Sequence, residues 1–127
     1  MAKRRKILIV DDDPKALLLI EAMLKPHGYD VVLVNHSRLA IQTARKEKPD
    51  LILLDIMMPE LDGYTLLNKI RKDETLKNIP VVMVTALELD GNKEFASECG
   101  ASAYITKPID KKVLLETIAH FLPDAKS

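Results

Sequence analysis

The sequence predicts a single α/β domain in which five strands alternate with helices, a (βα)5 pattern around a parallel sheet. Three observations carry this. The apolar runs are short and mostly continuous, segments with helical spacing lie between them, and helix-start and helix-stop residues stand at the junctions. The runs are 6–10, 51–54, 81–84 and 103–106, with 29–34 a weaker fifth. Strands covered on both faces of a parallel sheet look like this. Right-handed crossovers then place helices on both sides of the sheet, giving three layers.

Each element has a local reason. After the first strand, Asp13-Pro14 reads as an N-cap with proline in the first helical turn. Leu17, Ile20 and Leu24 fall on one helical face, and Gly28 stands where that helix should end. The weaker run is followed only by Asn35 and His36 and belongs at the sheet's margin. Ala40, Ile41 and Ala44 form the next stripe, and Leu66, Leu67 and Ile70 the one after. The helix expected over 87–98 is the weakest, because it carries Gly91 and few large apolar residues; Gly100 would end it. Val113, Leu114, Thr117, Ile118 and Phe121 share the face of the last helix. Residues 123–127 read as a loose end.

Size and charge bound the function. A chain of 127 residues fits one domain, 1–127, with a core over about 6–122. Apolar residues make up 47% and charged residues 30%, a balance that excludes a disordered or fibrous chain. Lys plus Arg and Asp plus Glu are both 19, so no global field favours nucleic acid or an anionic membrane. The Lys3-Arg4-Arg5-Lys6 run reads as a solvated terminus. Cys99 is the lone cysteine and cannot form an internal disulfide. No secretory leader is expected, since the run 7–10 is far too short for one, and no apolar run approaches the ~18 residues of a membrane span. A reducing, cytoplasmic location is expected.

In an open parallel sheet, ligands bind beyond the carboxyl ends of the strands. Asp11, Asp12 and Asp13 follow the first strand and Asp55 ends the third. Thr85-Ala86 ends the fourth and Lys107-Pro108 follows the fifth. These groups should converge on one edge. Like-charged carboxylates about 4 Å apart repel by roughly 4 kcal/mol at an effective dielectric near 20, which a divalent cation relieves. An all-oxygen acidic site with room for water suits Mg²⁺. Lys107 can hold a phosphoryl oxygen as a point charge, and the Thr85 hydroxyl can donate to another. Such a site supports phosphoryl transfer with an aspartate as nucleophile. Asp13 reads instead as a helix cap. Taken singly, each of these residues has an ordinary structural role; the ordered set is what points to chemistry.

That ordered set resembles the receiver domain of bacterial two-component response regulators. The resembling segments are Ile7-Leu-Ile-Val-Asp-Asp-Asp-Pro14, Leu51-Ile-Leu-Leu-Asp-Ile-Met-Met-Pro59 with Leu61-Asp-Gly63, Val81-Val-Met-Val-Thr-Ala86 and Ala103-Tyr-Ile-Thr-Lys-Pro108. The resemblance implies a flavodoxin-like fold with strand order 2-1-3-4-5. It implies that Asp55 accepts a phosphoryl group from the phosphohistidine of a sensor histidine kinase or phosphotransfer protein, with Mg²⁺ as cofactor. Asp12 would bind the ion directly, Asp11 through water, and Asp55 and the Met57 backbone carbonyl would complete the ligands. Thr85, Ala86 and Lys107 would bind phosphoryl oxygens, and Lys107-Pro108 would be cis. Thr85 and Tyr104 would act as the switch, repacking the face of the fourth helix, fifth strand and fifth helix toward an effector partner not named by the sequence. No direct nucleic-acid or membrane contact is implied, and a homodimer formed on phosphorylation is left open. The domain would catalyse only its own phosphotransfer and dephosphorylation and would not be an enzyme in the ordinary sense.

Met57 and Leu87, two residues beyond Asp55 and Thr85, are apolar and cannot orient a water, so slow autodephosphorylation is expected. Three other readings compete. A hydrolase similar to haloacid dehalogenases would want a small residue and then Thr where Pro14-Lys15 stand. A flavodoxin-type cofactor binder would want a Ser/Thr-rich loop where Asp11–Asp13 would repel phosphate. A receiver-like binding module that is never phosphorylated would usually have lost an acid or the lysine.

Overall fold

The computed structural model describes residues 4–56, 63–85 and 100–123. Five strands, β1 (Lys6–Val10), β2 (Asp30–Val34), β3 (Leu51–Asp55), β4 (Val81–Thr85) and β5 (Ala103–Thr106), form one parallel sheet in the order β2-β1-β3-β4-β5. The described α-helices are α1 (Pro14–Leu24), α2 (Ala40–Glu47), α3 (Gly63–Lys72) and α4 (Lys111–Phe121). The expected alternation and strand order are both present, with the weaker run at the margin. The helix expected over 87–98 lies outside the described residues, as does all of the C-terminal end beyond Pro123.

Strand parity divides the core in two. Leu8, Val10, Ile52, Leu54, Val81 and Met83 pack with Ala40 and Ala44 of α2 and with Leu66, Leu67 and Ile70 of α3. The alternate residues, Ile7, Ile9, Leu51, Leu53, Val82 and Ile105, pack with Leu17, Ile20 and Leu24 of α1 and with Leu114 and Ile118 of α4. Period-two side chains on strands covered from both sides require apolar residues at every position, hence the continuous runs. Each fully buried Leu, Ile or Val stabilises by about 1.5–3 kcal/mol relative to exposure.

The element ends follow local chemistry. Asp13 caps α1, its side chain accepting from the Lys15 N–H at 3.0 Å, and Asp110 caps α4 through the N–H groups of Lys112 and Val113. Such caps contribute about 1 kcal/mol each. Beyond α1 the chain tightens into a 3-10 turn, Lys25–His27, which closes at Gly28 with φ +88°. Gly100 also has a left-handed φ, +105°, just before β5.

Three features depart from the expected pattern. A 3-10 turn, Ser37–Leu39, leads into α2 and is capped by His36. The helix α2 ends on Lys48, a non-glycine residue at φ 50° whose N–H reaches the Ala44 carbonyl at 2.8 Å. Pro49 follows it and cannot continue a helix. Val113 does not share the buried face of α4 and is 46% exposed, because that face is built on Leu114 and Ile118, with Leu115 and Phe121 packed beside them.

Candidate functional site

Register brings the expected residues to one edge. Val10 is level with Val34 and Leu54, Asp55 with Val84, and Thr85 with Thr106, so β1, β3, β4 and β5 finish side by side. The ladder continues one step past each end. Asp11 N–H donates to the Val34 carbonyl at 3.0 Å, Ile56 N–H to Val84 at 3.0 Å, and Lys107 N–H to Thr85 at 2.7 Å. These backbone bonds fix Asp11, Asp55 and Lys107 on rigid strand ends.

Asp11 is 2% exposed and Asp55 5%, whereas Asp12 is exposed. A carboxylate this buried requires partners. Asp11 uses one oxygen, Oδ1, to accept the Asp13 N–H at 2.9 Å. The other, Oδ2, accepts from Lys107 Nζ at 3.0 Å, and the same ammonium is 3.8 Å from Asp55 Oδ1. Burial pulls the Lys107 pKa down. The hydrogen bond to Asp11 and the negative charges of Asp11, Asp55 and Asp13 outweigh it and leave the pKa raised. Lys107 is therefore charged at neutral pH and offsets one of the negative charges around it. The peptide bond after it, Lys107–Pro108, is cis.

Asp11, Asp12 and Asp55 can each present a carboxylate oxygen within 4.8 Å of the others. Three hard oxygen donors, one of them open to water, suit Mg²⁺, which keeps several waters and takes few protein ligands. The Thr85 side chain is fully buried beside this cluster at the end of β4. Tyr104, on β5 opposite Met83, is half-buried and packs against the core under α2 and α3. Met57, Ala86 and Leu87 lie outside the described residues.

Gly63 is a site residue whose role motif spacing does not reveal. Its N–H donates to the Ile56 carbonyl at 2.8 Å. A Cβ there would stand 2.5 Å from the Asp55 carbonyl oxygen and 2.7 Å from the Ile56 Cα. The first turn of α3 thus rests directly on the backbone of Asp55. The sequence signals are its place in the Leu61-Asp-Gly63 segment and a glycine opening a helix, where an N-cap or a good helix former is ordinarily preferred.

Comparison with known proteins agrees with this geometry. The family model of the response regulator receiver domain matches residues 7–119. Protein PilH of Pseudomonas aeruginosa is 40% identical over 113 residues, which cover 89% of this chain and 93% of PilH. The BeF3-activated N-terminal receiver domain of Klebsiella pneumoniae RstA superposes with a TM-score of 0.87 at 41% identity, covering 93% of this chain and 98% of that one. Vibrio cholerae chemotaxis protein CheY4 superposes with a TM-score of 0.88 at 27% identity, covering 94% and 99%. Sheet order, strand-end acids and family match agree: the chain belongs to the response regulator receiver domain family.

Proposed function

We propose that Asp55 accepts a phosphoryl group from the phosphohistidine of a histidine kinase or phosphotransfer protein. The observation that carries the reading is the placement of one ammonium, Lys107 Nζ, 3.0 Å from Asp11 and 3.8 Å from Asp55, beside a triad of acids able to share a cation. The Asp55 carboxylate attacks phosphorus. An O–P bond forms as the N–P bond to histidine breaks, and the departing imidazole nitrogen keeps the electron pair. Mg²⁺, when bound, would supply neutralisation of the negative charge that the carboxylate and the phosphoryl group bring together.

The chain's own residues do the rest. Asp12, Asp55 and the Met57 carbonyl would hold the ion directly and Asp11 through water. Lys107 pairs with a phosphoryl oxygen, the Thr85 hydroxyl donates to another, and the Ala86 N–H serves a third. Thr85 and Tyr104 then report the event by repacking the β5 and α4 face, where an effector binds. The donor has a surface to sit on. Helix α1 starts two residues after Asp12 and leaves Leu18 and Leu19 outside, 59% and 55% exposed, about one turn below the acids. The domain catalyses only its own phosphorylation and dephosphorylation. None of the described helices is long and apolar enough to cross a membrane. The family's phosphotransfer role, on our reading, goes with a cytoplasmic location.

Phosphoramidate, a small P–N donor, tests the transfer. Phosphoprotein should accumulate with Mg²⁺, fail to appear in EDTA, and shift the Tyr104 ring resonances. Accumulation without metal, or on residues other than Asp55, would contradict the reading. No accumulation at all would favour a binding module that is never phosphorylated.

A further inference from the structure

The buried acid Asp11 is held from three directions. Its N–H extends the sheet to the Val34 carbonyl at 3.0 Å, its Oδ1 accepts the Asp13 N–H at 2.9 Å, and its Oδ2 accepts Lys107 Nζ at 3.0 Å. At 2% exposure, bulk water cannot replace a donor lost from Oδ1. Asp13 is in turn fixed by α1. Its backbone has the extended angles of a cap, φ −95° and ψ 110°, and its Oδ1 accepts the Lys15 N–H at 3.0 Å. Its carbonyl accepts the Leu17 N–H at 3.2 Å. Pro14 brings no N–H, so the Lys15 amide is the first donor that α1 must satisfy, and the Asp13 side chain satisfies it.

We propose that Asp13 is a positioning residue of the cation site: its cap on α1 holds its own N–H against Asp11 Oδ1 and leaves Asp11 one oxygen, Oδ2, to face the site. The proposal rests on the reading of Asp11, Asp12 and Asp55 as the residues that hold a cation. With Oδ1 engaged, Asp11 cannot offer both oxygens to an ion. A single oxygen suits contact through water, and Mg²⁺ keeps several of its waters. If the side-chain cap is lost, the first turn of α1 frays and residue 13 is no longer fixed. Its N–H then leaves Oδ1, and the Asp11 carboxylate turns toward another donor.

Three substitutions separate the cap from the charge. Asp13→Asn and Asp13→Ser keep a capping side chain and remove one exposed negative charge, whereas Asp13→Ala removes both. Isothermal titration of the full chain with magnesium chloride should give affinities within about threefold of the unmodified chain for the two capping variants. Asp13→Ala should lose a further fivefold or so, the worth of about one hydrogen bond. Amide hydrogen exchange supplies a readout without metal. The residue-13 amide should stay protected in the Asn and Ser variants and lose protection in Asp13→Ala, while the β1 and β3 amides stay protected in all three and report an intact fold. Affinity or protection in Asp13→Ala equal to that of the capping variants would overturn the proposal and leave Asp13 a cap or a charge alone, with the reading of the acids untouched. Failure of the unmodified chain to bind Mg²⁺ would overturn that reading and the proposal with it.

Discussion

Lys107 Nζ donates to Asp11 Oδ2 at 3.0 Å, joining the end of β5 to the end of β1 across 96 residues of sequence. Both side chains are placed by backbone bonds that extend the sheet, Asp11 to Val34 and Lys107 to Thr85. The lysine is thereby an internal counter-ion for the acids that would hold a metal. On our reading it exchanges Asp11 for a phosphoryl oxygen when Asp55 is modified.

A counter-ion competes with a metal for the same charge. Lys107→Met should therefore tighten Mg²⁺ binding, by about threefold to tenfold for a repulsion on the order of 1 kcal/mol. Isothermal titration of the unphosphorylated domain reads this directly. Weaker binding in the variant would show that Lys107 organises the acids and does not compete with the ion.

Asp73 gives the acid limb of stability. The Thr75 hydroxyl, then Arg45, hold its carboxyl below the ordinary 3.8, at about 2, against the opposing effect of burial. A depressed carboxyl contributes stability above its unfolded pKa, and that contribution is lost as pH falls through the folded one. Urea midpoints should thus decline between about pH 4 and pH 2, and Asp73→Asn should be less stable at neutral pH and flatter across that window. An unchanged slope would remove Asp73 from the account.

Gly63→Ala inserts a methyl where the Asp55 carbonyl oxygen and Ile56 Cα already stand. Helix propensity alone would favour alanine by roughly 1 kcal/mol. The overlap is with backbone that cannot rotate away, so a net loss of about 1–3 kcal/mol is expected in urea unfolding. Phosphorylation of Asp55 should slow as well, because the carboxylate's own strand end must shift.

The lifetime of the phosphorylated form should depend on Met57 and Leu87, whose apolar side chains cannot orient an attacking water. Met57→Asn or Leu87→Glu should shorten the half-life by several-fold, read by the decay of the phosphoprotein after donor removal. No change in either variant would mean that these positions do not gate water.

Most of the architecture is legible in the residues. The continuous runs at 6–10, 51–54 and 81–84 become strands because both faces are covered, and Asp13 caps α1 as its position before Pro14 requires. The strand order follows from the resemblance and not from the pattern of residues. What stays hidden depends on tertiary contact. Arg71 looks like an ordinary charge at the end of a helical stripe. In the fold its guanidinium donates to the carbonyls of Gly100 at 2.8 Å, Ile79 at 2.7 Å and Lys77 at 3.1 Å, fastening three segments. Burial lowers its pKa, though a guanidinium remains charged. Val113 lies on the apolar stripe by spacing yet falls outside the contact, since α4 turns Leu115 toward the core beside Leu114 and Ile118. The candidate site was readable because its residues sit at strand ends, where topology alone brings them together.

The central claim is that Asp55 is the phosphoacceptor, and intact mass spectrometry after incubation with acetyl phosphate and Mg²⁺ tests it most directly. The account predicts the gain of one phosphoryl group in the unmodified chain and none in Asp55→Asn or in EDTA. Retention of the gain in Asp55→Asn, or its absence from the unmodified chain, would contradict it.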